Sequence, residues 1–186
     1  MVRGVKSSII RQALVAGALT LLVQGMEPAA PAVASQPSPA QKTCDDDAAK
    51  PEARIKACTA VISDQKLPAD TRADAFATRG SIADDQGRHA EAIADFTAAL
   101  KLVPNDPATL ILRGNALDSS GQHELAIADY SEAIRLNPGD ASGYYNRGTV
   151  YMDKGEKERA LSDFRKALEI EPNYDLAKKA MAQLAK

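Results

Sequence analysis

Two cysteines, two histidines and three arginine–aspartate sets are the side chains of this sequence whose types and spacing invite chemistry. Cys44 and Cys58 stand too far apart along the chain for the CxxC geometry of a thiol redox motif. With no His cluster beside them they make a poor zinc site. In an oxidising compartment such an even pair forms a structural disulfide, worth about 3 kcal/mol for so short a loop. His89 and His123 occupy equivalent places in a repeating pattern, one period apart. Equivalent places on neighbouring helical units lie roughly 10 Å apart, too far for two imidazoles on one metal ion. Lys157 takes the third such place, so both histidines are expected to be solvated turn residues. Arg79, Arg113 and Arg147 recur with Asp95, Asp129 and Asp163. They could form a binding ladder. One partly buried ion pair per unit, fixing the register of two helices, is the preferred reading. No Ser/His/Asp set, Cys/His cluster or phosphate-binding glycine loop occurs, so no catalytic, cofactor-binding or metal-ligating residue is assigned.

The elements that must position these residues come in copies. Three gapless segments begin at Ala73, Pro107 and Ala141, which sets a 34-residue period. Each has the apolar pattern of two short helices. In the first, Phe76, Leu110 and Tyr144 precede Gly80, Gly114 and Gly148, then Ala83, Leu117 and Tyr151. In the second, Ala92, Ala126 and Ala160 precede Phe96, Tyr130 and Phe164, then Ala99, Ala133 and Ala167. Gly87, Gly121 and Gly155 should end the first helix and Pro104, Pro138 and Pro172 the second. Asp106 and Asp140 are expected N-caps.

In period, first-helix glycine, second-helix alanines and aromatic, and closing proline, residues 73–174 resemble the tetratricopeptide-repeat (TPR) family. The resemblance implies an all-α fold, a right-handed superhelix of antiparallel helix pairs with repeats over 73–106, 107–140 and 141–174. It also implies a concave groove lined by the first helices, where partner peptides lie. Carried over by position, Asp74, Ala77, Ser81, Asp84 and Asp85 line it first. Ala108, Ile111, Asn115, Asp118 and Ser119 follow, then Ser142, Tyr145, Thr149, Met152 and Asp153. Asp84, Asp85, Asp118 and Asp153 form an acidic edge, while Ile111, Tyr145 and Met152 offer apolar pockets. The carboxylate clamp of chaperone-binding members is missing, because Ala77, Ser81, Leu112, Ser142 and Asn146 hold its places. A polypeptide bringing Lys or Arg and one or two apolar anchors fits this groove. The aspartates could equally do no more than solvate an exposed face.

The flanks complete the plan. Residues 1–34 read as a secretory signal: Arg3, Lys6 and Arg11, the apolar run Ala13 to Val23, then Ala32-Val33-Ala34 before a cut at Ser35. The run falls short of the roughly 20 residues a spanning helix needs, so a permanent anchor by an uncleaved signal is only the alternative. Residues 35–50 are expected as a linker and 51–72 as a half-repeat-like capping helix and connection, Cys58 standing where Phe96 does. Residues 175–186 should form a capping helix with Leu176, Ala177, Ala180, Met181 and Leu184 inward and Lys178, Lys179 and Gln183 outward. Aromatics are 4% of the chain and its formal charge is -2, without the basic footprint of a nucleic-acid binder. The sum of these readings is an exported bacterial TPR protein, periplasmic or secreted. It is expected to be a non-enzymatic scaffold or adaptor of the cell envelope without a cofactor, with no stable membrane insertion once the signal is removed. Homo-oligomerisation is the alternative; an enzyme or metalloprotein is the least favoured reading.

Overall fold

The computed structural model describes residues 36–184. The expected signal over 1–34, its cut at Ser35 and the final two residues of the expected cap lie outside the described residues. Within them the chain is helix and turn, with no strand. α1 (Pro39–Cys44) and α2 (Pro51–Ser63) precede three antiparallel pairs: α3 (Ala69–Asp85) with α4 (His89–Leu102), α5 (Pro107–Ser119) with α6 (His123–Leu136), and α7 (Ala141–Asp153) with α8 (Lys157–Ile170). α9 (Asp175–Leu184) ends the array.

Local chemistry accounts for the helix ends. Asp106 and Asp140 cap α5 and α7, their carboxylates accepting from Thr109 N at 3.0 Å and Ser142 N at 2.9 Å. At the other end of α5, Gly121 has φ +78°, a left-handed conformation that costs glycine nothing. The chain thereby reverses so that Gln122 N donates to Leu117 O at 2.8 Å, satisfying a carbonyl the helix leaves open. Gly87 and Gly155 repeat this turn.

Each pair closes by setting an aromatic ring on a glycine. Phe96, Tyr130 and Phe164 are at most 1% exposed, and a β-carbon at Gly80, Gly114 or Gly148 would lie within 2.9 Å of a ring carbon. The small second-helix residues Ala92, Ala126 and Ala160 are 0% exposed and let the helices approach. The large first-helix residues are less uniform. Leu110 is buried, whereas Phe76 and Tyr144 are half-buried. Arg79 covers the Phe76 ring at 5.5 Å.

Neighbouring pairs stack unequally. First helices of successive repeats, α3 with α5 and α5 with α7, lie in contact, whereas α4, α6 and α8 do not touch one another. A row that is tight on one side and splayed on the other must curve, so the stack is superhelical with α3, α5 and α7 on the concave face.

The ends depart from expectation in three ways. The expected linker contains a helix, α1, because Ser38 and Gln41 form a reciprocal capping box and Pro39 starts the first turn. α3 begins at Ala69, one turn ahead of the repeat boundary at Ala73. That added turn matches the sequence offset, since Cys58 precedes Phe96 by one helical turn more than the repeat period. In α9, Ala177 and Ala180 are buried and Met181 and Leu184 half-buried, but Leu176 is 51% exposed. One residue is a rotation of about 100°, which carries Leu176 off the stripe that Ala177 occupies.

Candidate functional site

Each arginine of the ladder grips its aspartate with two parallel bonds. Arg79 Nε and Nη2 donate to Asp95 at 2.8 and 2.7 Å, Arg113 to Asp129 at 2.7 and 2.8 Å, and Arg147 to Asp163 at 2.8 and 2.9 Å. These bonds raise each guanidinium above its ordinary value, outweighing the opposing effect of burial. The remaining Nη1 reaches back to the preceding second helix: to Thr59 Oγ1 at 2.9 Å, Thr97 Oγ1 at 3.3 Å and Ser131 Oγ at 2.9 Å. Each arginine therefore ties three helices in two successive units. The hydroxyl partners escaped the sequence reading, although Thr97 and Ser131 lie one period apart.

Much of the expected groove is occupied by its own neighbours. Asp84 and Asp118 are not free acids of an open edge. They bond His89 Nδ1 at 2.6 Å and His123 Nδ1 at 2.8 Å, across the glycine turns. The two histidines, expected to be solvated, are the half-buried first residues of α4 and α6. In the third repeat Met152 and Lys157 hold these places. Asn115 Oδ1 accepts from Tyr130 Oη at 2.8 Å and from Asn146 Nδ2 at 3.1 Å, joining α5, α6 and α7. Thr149 Oγ1 donates to Asn146 O at 2.6 Å.

The expected apolar pockets are likewise filled. Tyr145 lies 5.0 Å from the Tyr174 ring and 5.9 Å from Phe164. Met152 packs with Tyr145 against the cluster of Ala160, Phe164 and Ala180, so α9 takes up the third repeat's surface. Ile111 packs against Leu117, Ala126, Tyr130 and Val150. Asp85 and Asp153 remain exposed, as does Asp74. Partial burial holds the Asp74 carboxyl above its ordinary value, helped by the charges of Asp70, Asp45 and Asp106. The concave face is thus most acidic toward its N-terminal end.

The splayed second helices leave depressions of their own over the Arg–Asp pairs, and the Arg147–Asp163 pair has a further one of 450 Å³ toward Tyr144 and Lys166. The first, 340 Å³, is bordered by Arg88 and Glu91, which form an ion pair; the third, 350 Å³, by Arg159, which pairs with Glu156 at 2.6 Å. The middle one, 290 Å³, has Gln122 and Leu125 at those places, with Ile93, Leu117 and Ala128 around it. Leu125 is 55% exposed. This convex apolar spot was missed because Leu125 reads as an ordinary helical leucine until its neighbours are placed.

At the N-terminal end Cys44 and Cys58 are bonded, their Cα atoms 4.8 Å apart. Among the described residues no group of three or more His, Cys, Asp or Glu side chains is placed to hold a metal ion. No helix among them is long and apolar enough to cross a membrane.

Comparison with known proteins agrees with this geometry. Models described as tetratricopeptide repeat match residues 73–106 and 141–174, and one described as TPR repeat matches 114–155. The first TPR of Spaghetti (RPAP3), solved with the HSP90 peptide SRMEEVD, is similar at 25% identity and a TM-score of 0.60, covering 62% of this chain and 92% of that one. The Sgt2 TPR domain of Aspergillus fumigatus is similar at 27% identity and a TM-score of 0.59, covering 61% and 76%. MamA, at 22% identity and a TM-score of 0.65 over 72% and 76% of the two chains, shares the fold. No curated protein matches the chain.

Proposed function

Because the chain belongs to the tetratricopeptide-repeat family, we propose that it is a non-enzymatic scaffold that holds an extended partner polypeptide along its concave face. The observation that carries this reading is the similarity to the Spaghetti repeat domain solved with a peptide bound, joined to a curvature that puts α3, α5 and α7 on the inside. The peptide differs in kind from that one. Ala77, Ser81, Leu112, Ser142 and Asn146 offer little to a terminal carboxylate. Asp74 and Asp85 suit a segment whose Lys or Arg side chains meet the N-terminal half of the groove. The setting we propose is the bacterial cell envelope, reached through the basic–apolar–small pattern of residues 1–34, and the disulfide suits that oxidising setting.

An array of immobilised peptides, probed with the purified chain, tests the reading. Basic peptides with apolar anchors should be retained. Asp74→Ala with Asp85→Ala should weaken that binding several-fold, and Leu125→Ser on the convex side should leave it unchanged. The opposite pattern moves the binding surface to the convex face.

The exposed Leu125 favours a second reading, self-association through the convex side. Light scattering on the chain and on Leu125→Ser distinguishes it, since a dimer lost in the variant would make that face the interface.

A further inference from the structure

The N-terminal helix pair is built on a different bond from the three repeats. Cys58 stands where the repeats carry their buried ring, and the sulfur bridge to Cys44 replaces the ring-on-glycine contact. α1 has 6 residues, far below the roughly 12–15 at which an isolated helix becomes even marginally stable. Other ties on it are few. Cys44 is its one buried residue and Ala40 packs partly against the same cluster. Arg54 Nε donates to Cys44 O at 3.1 Å. The adjoining Arg54–Asp47 ion pair at 2.7 Å involves an aspartate side chain 92% exposed, where such pairs contribute little.

α2 is anchored independently. Ala57 and Val61 pack with Ala75 of α3, and Thr59 accepts from Arg79. Cutting the bridge therefore removes the one covalent tie on α1 while leaving the contacts that hold α2.

We infer that the Cys44–Cys58 disulfide is a redox latch on α1 alone. A dithiol reductant attacks one sulfur as thiolate, and its second thiol then closes on the mixed disulfide. The protein S–S bond is exchanged for one within the reductant, and the dithiol's two protons end on Cys44 and Cys58. Both cysteines are at most 1% exposed, so the attack requires α1 to open. Once reduced, α1 keeps only the Ala40 packing and the bond from Arg54 to Cys44 O, too little to hold a helix of 6 residues in place. The 270 Å³ cavity that Gln41 and Asp45 share with Val61, Thr71 and Asp74 then loses a wall, and Val61 and Ala75 come to the surface. The redox state thereby sets where the array ends.

Hydrogen exchange by mass spectrometry on the full chain, with and without dithiothreitol, tests this, with iodoacetamide trapping to count thiols. Both cysteines should be alkylated, amides of residues 39–50 should exchange at the unfolded-chain rate, and those of 73–184 should be unchanged. Cys44→Ser with Cys58→Ser should give the same map without reductant. A disulfide that survives until the whole array unfolds overturns the latch. So does continued protection of 39–50 in the reduced chain, loss of protection throughout, or a double variant that is unfolded everywhere.

Discussion

A β-carbon at Gly114 would lie 2.6 Å from Cε1 of Tyr130, whose ring is also held by the bond from its hydroxyl to Asn115. Gly114→Ala must push that ring aside, at a cost of about 1–3 kcal/mol in urea unfolding. Gly121→Ala meets no atom within 4 Å, yet it should cost about 1 kcal/mol because its φ is +78°. Tyr130 also carries a pH signature. Burial pushes its phenol up, with the charges of Asp118, Asp129 and Asp84 adding to the effect. A group raised in the folded state contributes its full stability below its unfolded value, near ~10 for tyrosine, and loses it as pH rises above that. Stability should fall above about pH 10, and Tyr130→Phe should flatten that part of the profile while losing about 1 kcal/mol at neutral pH. At the ladder, Arg113→Ala leaves Asp129, 7% exposed, without its partner. With the pair partly open to solvent, a loss of about 2–3 kcal/mol is expected. Arg113→Lys should recover little of it, since a single ammonium cannot reproduce the fork.

Between helices, the decisive feature is how the terminal elements cover faces that a further repeat would otherwise bury. α9 does so with alanines: Ala177 packs against Ala141 and Ala167, and Ala180 against Ala160 and Phe164. Ala177→Glu would force a carboxylate into a position that is 0% exposed. It should unseat α9, cost at least about 2 kcal/mol, and raise hydrogen exchange in α9 and in α8, on which α9 chiefly packs, before any other helix. Leu176→Ser, at the exposed neighbouring position, should be close to neutral. A large loss from Leu176→Ser would mean that α9 sits one residue round from its described register.

Across the whole array, each unit touches only its sequence neighbours, which gives the chain the energetics of a one-dimensional stack. Fraying should begin at both ends, so amide exchange should be slowest in α5 and α6 and rise outward. The inter-repeat bonds of Arg113 to Thr97, Arg147 to Ser131 and Lys154 to Glu124 couple neighbours on either side of that centre. Uniform protection from α2 to α9 would show instead that the stack unfolds as one cooperative unit.

What is periodic and local was legible in the sequence. The 34-residue repeat, the Asp106 and Asp140 caps, the glycine turns and the pairing of each arginine with an aspartate all depend on spacings within one unit. The start of α1 is legible too, in Ser38, Pro39 and Gln41, but it lies in a polar stretch too short to show a helical apolar period. The state of the groove was not legible. Family register places Asp84, Asp118, Asn115, Tyr145 and Met152 on the concave side, yet each also finds a partner on the following helix, the next repeat or the closing cap. Position on a helix face follows from a 3.6-residue period that the sequence carries. Whether a side chain on that face is free depends on how far neighbouring helices bring other side chains toward it, and only the packed array decides that.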